Sequence, residues 1–317
     1  MKYFSKWFKR NSINIILLSL VFTGVGLILY PSLSNWYNMH LHAHVVMDYA
    51  EEVGAMDQET IDAIWNSAET YNRKVAETGN DWMPDDEKIQ RYLKELQFNS
   101  GGVMGYLFIQ KINLSLPIYH TTAEEAIKKG AGHLTGTSLP VGAESTHSVL
   151  SSHRGLPTAM LFTDLDKLVI GDTFQLNILN RTLTYEVDQI RIVEPTDFSD
   201  LTIVEGKDYC TLLTCTPYGI NSHRMLVRGH RTKTKGSNVA VPSDAMQYEP
   251  ILIAPFFAAP VLLFGLIWLL FTTSSRSRIR RSREQALSEM MTGKGTMVSS
   301  AESETGQAGK RNGKKRA

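Results

Sequence analysis

Cysteine is scarce in this chain: Cys210 and Cys215 are the two among 317 residues. If the stretch joining them is extended, their Cα atoms lie about 16 Å apart at about 3.3 Å per residue. A disulfide reaches about 7 Å. Their odd separation also turns the two side chains to opposite faces. A disulfide-stapled domain is therefore excluded. The middle of the chain has no basic patch interleaved with aromatics, so nucleic acid is not expected as a partner. No internal repeat is present.

Charge is missing from two long stretches. Ile13–Tyr30 runs for 18 residues without a charged side chain and Ile251–Phe271 for 21. Either is long enough to cross a hydrocarbon core of about 30 Å as a helix. Acidic residues are missing from residues 1–12, which hold four Lys/Arg; residues 272–317 hold eleven Lys/Arg against four Glu. Of the overall +1, that leaves −10 for residues 13–271. Lys9-Arg10 precedes the first uncharged run, and Arg276 to Arg283 follows the second. The positive-inside rule then puts both termini in the cytoplasm and residues 31–250 outside. No small-residue cleavage site follows the first run, and Pro31 comes directly after it, so an uncleaved anchor is expected.

What is present suits a globular domain: 43% of residues are hydrophobic and 21% charged. Asp57–Val75 reads as an amphipathic helix capped by Asp57, with Ile61, Ile64, Trp65, Ala68, Tyr71 and Val75 on one face. Thr78–Asp86 is rich in turn formers. A second helix is expected from about Asp86 to Phe98. From Val103 to about Arg231 the texture is β. Tyr106–Tyr119, Ser148–Ser152, Thr173–Leu179, Leu183–Val187, Ile190–Val193, Tyr209–Cys215 and Met225–Arg228 read as strands. Ala123–Lys129 and Leu161–Leu165 read as short helical turns. So many short strands predict a mainly β barrel or sandwich. Residues 272–317 read as a basic disordered tail.

A thiol kept outside the cell is a liability unless it is buried or used. Cys210, between Tyr209 and Thr211 and close to Leu212, reads as a buried hydrophobe. Cys215 ends a short apolar strand, and the returning strand delivers Arg224. A thiol of ordinary pKa near 8.5 is only a few per cent thiolate at pH 7, so a nucleophile needs a base or a cation nearby. Arg224 supplies a fixed charge but cannot be the base. The base should be one of nine histidines. His40, His42 and His44 lie near the first uncharged run; no other ligand type accompanies them, and neither metal nor cofactor is expected. His120 and His133 lie in polar loops. His223 and His230 read as surface residues. His147 and His153 flank the strand Ser148–Ser152, and His153 stands at its end, before a turn. Spacing alone leaves the choice open.

Thr211-Leu-Leu-Thr-Cys215 with Arg224 resembles the signature of sortases, the Gram-positive cell-surface cysteine transpeptidases. Ser152-His-Arg-Gly-Leu-Pro157 resembles their histidine motif. Gly130–Pro140 and Leu161-Phe-Thr-Asp-Leu-Asp-Lys167 are similar to the class C, pilus-assembling branch. The resemblance covers roughly Val103–Arg231. It implies an eight-stranded β-barrel with N-terminal helices and two flanking transmembrane helices. It implies that Cys215, His153 and Arg224 are catalytic, with Thr214 and Thr216 at the oxyanion site or substrate groove. The implied substrates are pilin subunits carrying a Leu-Pro-x-Thr-Gly-like sorting signal, cut between Thr and Gly and joined through a lysine amine. Class C sortases carry an Asp-Pro-aromatic lid whose Asp pairs with the catalytic Arg. Here Asp81-Trp82-Met83-Pro84 stands at that place without the intervening Pro, and the expectation is that Asp81 and Trp82 form the lid. The expected plan is a cytoplasmic N-terminus (1–12), a membrane helix (13–30), a helical region with the lid (31–102) and the catalytic barrel (103–235). A linker (236–250), a second membrane helix (251–271) and the cytoplasmic tail (272–317) follow. The alternatives are a housekeeping sortase acting on a peptidoglycan precursor, and a membrane-tethered scaffold without catalysis. The second uncharged run and the helical lead-in argue against the first. The intact Cys215, His153 and Arg224 set argues against the second.

Overall fold

The computed structural model describes residues 2–98 and 101–233, and then residues 260, 263–265, 267, 279 and 282–291. The chain divides into two units, Leu27–Gln247 and a second made of Met1–Gly26 with Tyr248–Ala317. In the first, strands β1 (Val103–Ile109), β2 (Leu114–Tyr119), β3 (Ala131–His133), β4 (Thr146–Ser151), β5 (Thr173–Ile178), β6 (Arg181–Val193), β7 (Asp208–Thr216) and β8 (His223–Thr232) form the barrel. They close in the order β1-β2-β3-β4-β7-β8-β6-β5. The pairs β2–β3 and β4–β7 are parallel and the rest antiparallel. Closure removes the open edges that short strands would otherwise expose.

The helices are α1 (Lys2–Gly54), α2 (Gln58–Thr78), α3 (Asp86–Tyr92) and α4 (Glu124–Lys129). Asp57 caps α2 as expected, its carboxylate accepting from Thr60 N at 2.8 Å. Ile61, Trp65, Ala68 and Val75 are buried along one side. One core joins Val46, Tyr49 and Val53 of α1, Ile61, Trp65 and Ala68 of α2, and barrel residues such as Leu107, Ile118 and Leu150. Polar ties reinforce it. Tyr49 Oη donates to Met104 O at 3.0 Å and accepts from Leu179 N at 2.8 Å. Asn72 holds both backbone groups of Leu139, at 3.1 and 2.7 Å.

Beyond the first uncharged run α1 continues through Pro31 to Gly54, with Val46, Tyr49 and Val53 buried. Other elements depart from what was expected. The helix expected to reach Phe98 stops at Tyr92, and Leu96, at φ 55°, follows in a turn and is still buried. The strands expected at Leu183–Val187 and Ile190–Val193 are one strand, β6, interrupted by a bulge at Asp188. Arg228 fills that bulge with a two-point contact to the Asp188 carboxylate, at 2.9 and 3.3 Å. Residues 282–291, expected without structure, are helical and exposed; Glu284-Gln-Ala-Leu287 is a run of good helix formers.

Among the described residues no helix is long and apolar enough to cross a membrane. The side chains at 13–15 and 18 in the first expected span, and most of 251–271, lie outside the described residues.

Two buried histidines make the barrel acid-sensitive. His133 Nε2 lies 2.8 Å from Ser138 O, and His147 Nε2 lies 2.7 Å from Thr211 Oγ1. Burial pushes both rings down to about 4. Between about 4 and the unfolded value near 6.5, the unfolded chain binds more protons, so stability is intact above 6.5 and drains away as pH falls. At pH 5 each ring costs about 2 kcal/mol, 1.5 units at about 1.36 kcal/mol per unit. Urea unfolding should show a clear loss between pH 7 and 5. That loss should shrink in the His133→Asn/His147→Asn double variant, and an unchanged slope would refute the assignment.

Candidate active site

The site follows from one register. In the parallel pair β4–β7, Thr146 faces Asp208 and each step along keeps the offset, to Ser151 against Leu213. Two residues further on, the same offset sets His153 beside Cys215. The extension is held by hydrogen bonds: Ser152 N donates to Leu213 O at 3.2 Å, and Thr214 Oγ1 donates to Ser152 O at 2.9 Å. On the other side, antiparallel β8 puts Arg224 directly opposite Cys215. Adjacent strands stand about 4.8 Å apart. His153, Cys215 and Arg224 therefore form a row across three neighbouring strand ends.

Side-chain alternation decides which groups face the site. Cys215 is half-buried, while its neighbours Thr214 and Thr216 are buried. A strand turns successive side chains to opposite faces, so the two threonine hydroxyls point away from Cys215. Thr214 Oγ1 is committed to Ser152 O, and Thr216 Oγ1 accepts from Arg154 Nη1 at 3.2 Å.

His153 Nε2 lies 3.4 Å from Glu124 Oε2 on α4, within ion-pair distance but without hydrogen-bond alignment. The Glu124 carboxyl is held below its usual value by its hydrogen bond from Lys128 and then by His153. Arg224 Nη1 donates to Asn221 O at 3.2 Å and His223 O at 3.1 Å, which fixes the guanidinium at the strand end. The other candidate histidines are engaged elsewhere: His120 with Glu95 O, His133 and His147 in the interior, His223 with Glu194 and His230 near Asp188. Cys210 is fully buried, and burial pushes its thiol up. A thiol, an imidazole and a guanidinium in a row can supply a nucleophile, a proton carrier and a fixed cation for a developing oxyanion.

Arg154 was not singled out from the sequence. It reaches Thr163 O through Nε at 3.2 Å, Thr216 Oγ1 through Nη1, and the Asp166 carboxylate through Nη2. It thus ties the turn after His153 to the strand end at Cys215. The cue was the motif Leu161–Lys167, which contains Asp166.

Asp81 and Trp82 lie in the loop from α2 to α3. Asp81 N donates to Gly136 O at 3.1 Å. Gly136 is at φ +88°, and a Cβ there would meet Asp81 O at 1.8 Å, so the loop's seat requires glycine. Trp82 stacks on Phe198 with centroids 4.8 Å apart, and packs against the buried cluster formed by Val149, Val193, Leu201 and Leu226. Val193 is the register partner of Arg224. The expected pairing of Asp81 with Arg224 does not occur. Its carboxylate takes Lys88 Nζ at 2.6 Å and Met83 N at 3.2 Å, which hold it low. Seating on Gly136 brings the carboxylate to the first turn of α3, where Lys88 lies within reach.

The comparisons bear on this geometry. A sortase-domain family model matches residues 107–232. Sortase D of Bacillus subtilis is 33% identical over 135 residues, 42% of this chain and 65% of its own length. The chain thus spans about 65% of that curated relative. The crystal structure of sortase C1 from Streptococcus agalactiae is 50% identical, with a TM-score of 0.60, over 61% of this chain and all of that one. The chain belongs to the sortase family. A second class C structure, sortase C of Streptococcus pneumoniae, is 42% identical over 62% of this chain and all of that one, with a TM-score of 0.54. The sortase-domain match begins inside β1 and ends at the last residue of β8, so it takes in the whole row of His153, Cys215 and Arg224.

In this sortase the Thr214 hydroxyl joins the two strands that carry the thiol and the imidazole. Thr214→Val keeps the shape and leaves Ser152 O unpaired in the interior, a loss of about 1–3 kcal/mol. Urea denaturation should show that loss with an unchanged m-value; a stability equal to the parent would mean the bond carries no net stabilisation.

Proposed function

We propose that this protein is a membrane-anchored cysteine transpeptidase. It cleaves a Leu-Pro-x-Thr-Gly-like sorting signal between Thr and Gly and joins pilin subunits through a lysine amine. The observation that carries the reading is the row of His153, Cys215 and Arg224 across three adjacent strand ends. The pneumococcal relative's structure is described in terms of pilin substrate specificity, and a sortase C1 structure 42% identical to this chain belongs to a group B streptococcal pilus island. Anchoring is supported by the uncharged runs Ile13–Tyr30 and Ile251–Phe271 and their basic flanks.

The steps follow from the groups. The Cys215 thiolate attacks the Thr carbonyl carbon and forms the C–S bond. Negative charge builds on the carbonyl oxygen, where Arg224 stabilises it. Collapse breaks the Thr–Gly bond, and His153 hands its proton to the departing glycine amine. The lysine amine of a second pilin then attacks the thioester. His153 takes the amine proton, the C–S bond breaks, and an isopeptide bond remains while the Cys215 thiolate and the protonated His153 are restored. Water competes for the same thioester, so the yield of polymer depends on shelter.

Shelter is the role we assign to the loop holding Asp81 and Trp82. Trp82 packs against the cluster that contains Val193, the register partner of Arg224, and stacks on Phe198. As a lid it lowers access to Cys215 until a substrate displaces it.

Two experiments test the reading. The full-length protein in detergent, mixed with a pilin bearing a sorting signal, should give a thioester intermediate and covalent ladders. Both should vanish in Cys215→Ala, and ladders that survive this change would refute the mechanism. For the lid, Trp82→Ala should speed alkylation of Cys215 severalfold, since an aromatic packing contact worth about 1 kcal/mol is removed. An unchanged rate would remove Trp82 from that role.

A further inference from the structure

We infer that the part of α1 just beyond its uncharged run belongs to the catalytic apparatus, with Asn35 and Asn38 as positioning residues for the loop that follows His153. The inference rests on the proposed role of His153. That loop is a closed ring of backbone, with Phe162 N donating to His153 O at 3.0 Å. Its tip reaches α1. Asn35 Oδ1 accepts from Met160 N at 2.9 Å, and Asn38 Nδ2 donates to Thr158 O at 2.8 Å. The two asparagines are three residues apart and so share a helix face. Asn35 is 7% exposed. Asparagine is a poor helix former because its amide competes for the backbone. Here the amides also serve two peptide groups more than a hundred residues away in sequence, Asn38 Nδ2 donating to Ser34 O of its own helix as well, at 3.0 Å.

The loop needs such support. Leu161, next to Met160, sits at φ 42°, in the left-handed region that a branched side chain avoids. A strained residue persists only where its surroundings over-determine it. Ala159, Leu161 and Phe162 are buried, which gives apolar support. The polar support comes from α1 at the tip and from Arg154 at the base, where Arg154 grips Thr163 O and Thr216 Oγ1. The peptide carrying His153 is therefore held from two directions. Arg154 sets it against the Cys215 strand, and the asparagines set it against the helix that also carries residues 13–30. Moving that face of α1 would move the imidazole relative to the thiol.

The same new carboxylate at two places on α1 separates positioning from bulk stability. Ala43 is exposed on the same helix, and Ala43→Asp adds the charge there. Asn38→Asp removes the nitrogen that donates to Thr158 O and sets a carboxylate against a carbonyl. The experiment uses full-length protein in detergent micelles and reads the pH profile of Cys215 alkylation by iodoacetamide. Cys210 is fully buried and does not contribute. In parallel, kcat and KM are measured with a sorting-signal peptide. Ala43→Asp should match the parent. Asn38→Asp should move the alkylation profile away from the parent's and lower kcat about tenfold to a hundredfold, with KM little changed. Asn35→Leu, which removes the oxygen that accepts from Met160 N, should behave like Asn38→Asp. Parent-like profiles and kcat in Asn38→Asp, or equal damage from Ala43→Asp, would overturn the inference. If the parent forms no thioester with the peptide, the transpeptidase reading fails, while the alkylation profiles still decide the positioning claim.

Discussion

The parallel register between β4 and β7 is the constraint from which the rest of this end of the barrel follows. A one-residue slip would turn every side chain of one strand to the other face. His153 would then lie opposite Thr214 or Thr216, not Cys215. The slip is prevented far from the site. Val149 and Leu150 on β4, and Cys210 and Leu212 on β7, are fully buried, so the interior pins both strands. Cys210 is thus more than an inert thiol. It is one of the side chains whose burial sets which residue stands at position 215.

Much of the polarity near the site is committed to holding strand ends and loops. Thr214, Thr216, Ser152 and Arg154 spend their side chains on one another and on backbone carbonyls. These bonds lie in the interior or close to it, where an unmade partner costs more than a made one gains. The outcome is a division of labour by alternation along β7. Inward-facing threonines fix geometry, and the outward-facing Cys215 is left as a free, half-buried thiol. Arg224 obeys the same logic, because two carbonyls at its own strand end hold its guanidinium in place.

How much of this the sequence could reveal depended on how local each relation was. Cys215 and Arg224 are nine residues apart across one hairpin, so thiol and cation could be paired from spacing. His153 lies 62 residues before Cys215, and a parallel pairing of strands leaves no local signal; motif resemblance supplied it. The strand β3 has three residues, too short to show alternation. The bulge at Asp188 split β6 into two apparent strands, because one extra residue breaks the period of two. The inward direction of Thr214 and Thr216 was readable from Cys215 by alternation alone. The grip of Asn35 and Asn38 was not, since two polar residues on a helix announce no partner.

The loop carrying Asp81 shows how a shared motif can keep its place and change its lock. Asp81 and Lys88 are both substantially exposed, so their pair is screened and contributes little to holding the loop. Other contacts hold it: the backbone bond onto Gly136, the bond from Ile203 N to Asn80 Oδ1, and the packing of Trp82 on Phe198 and on the cluster that contains Val193. In the proposed lid, closure is therefore mainly apolar. A lid fastened by an ion pair to Arg224 would have to surrender that cation before the oxyanion could use it. Here the Asp81 charge is set against Lys88, and opening asks only that an incoming chain replace the indole on its apolar seat. Salt should then have little leverage on access to Cys215, whereas the apolar character of the incoming segment should have much.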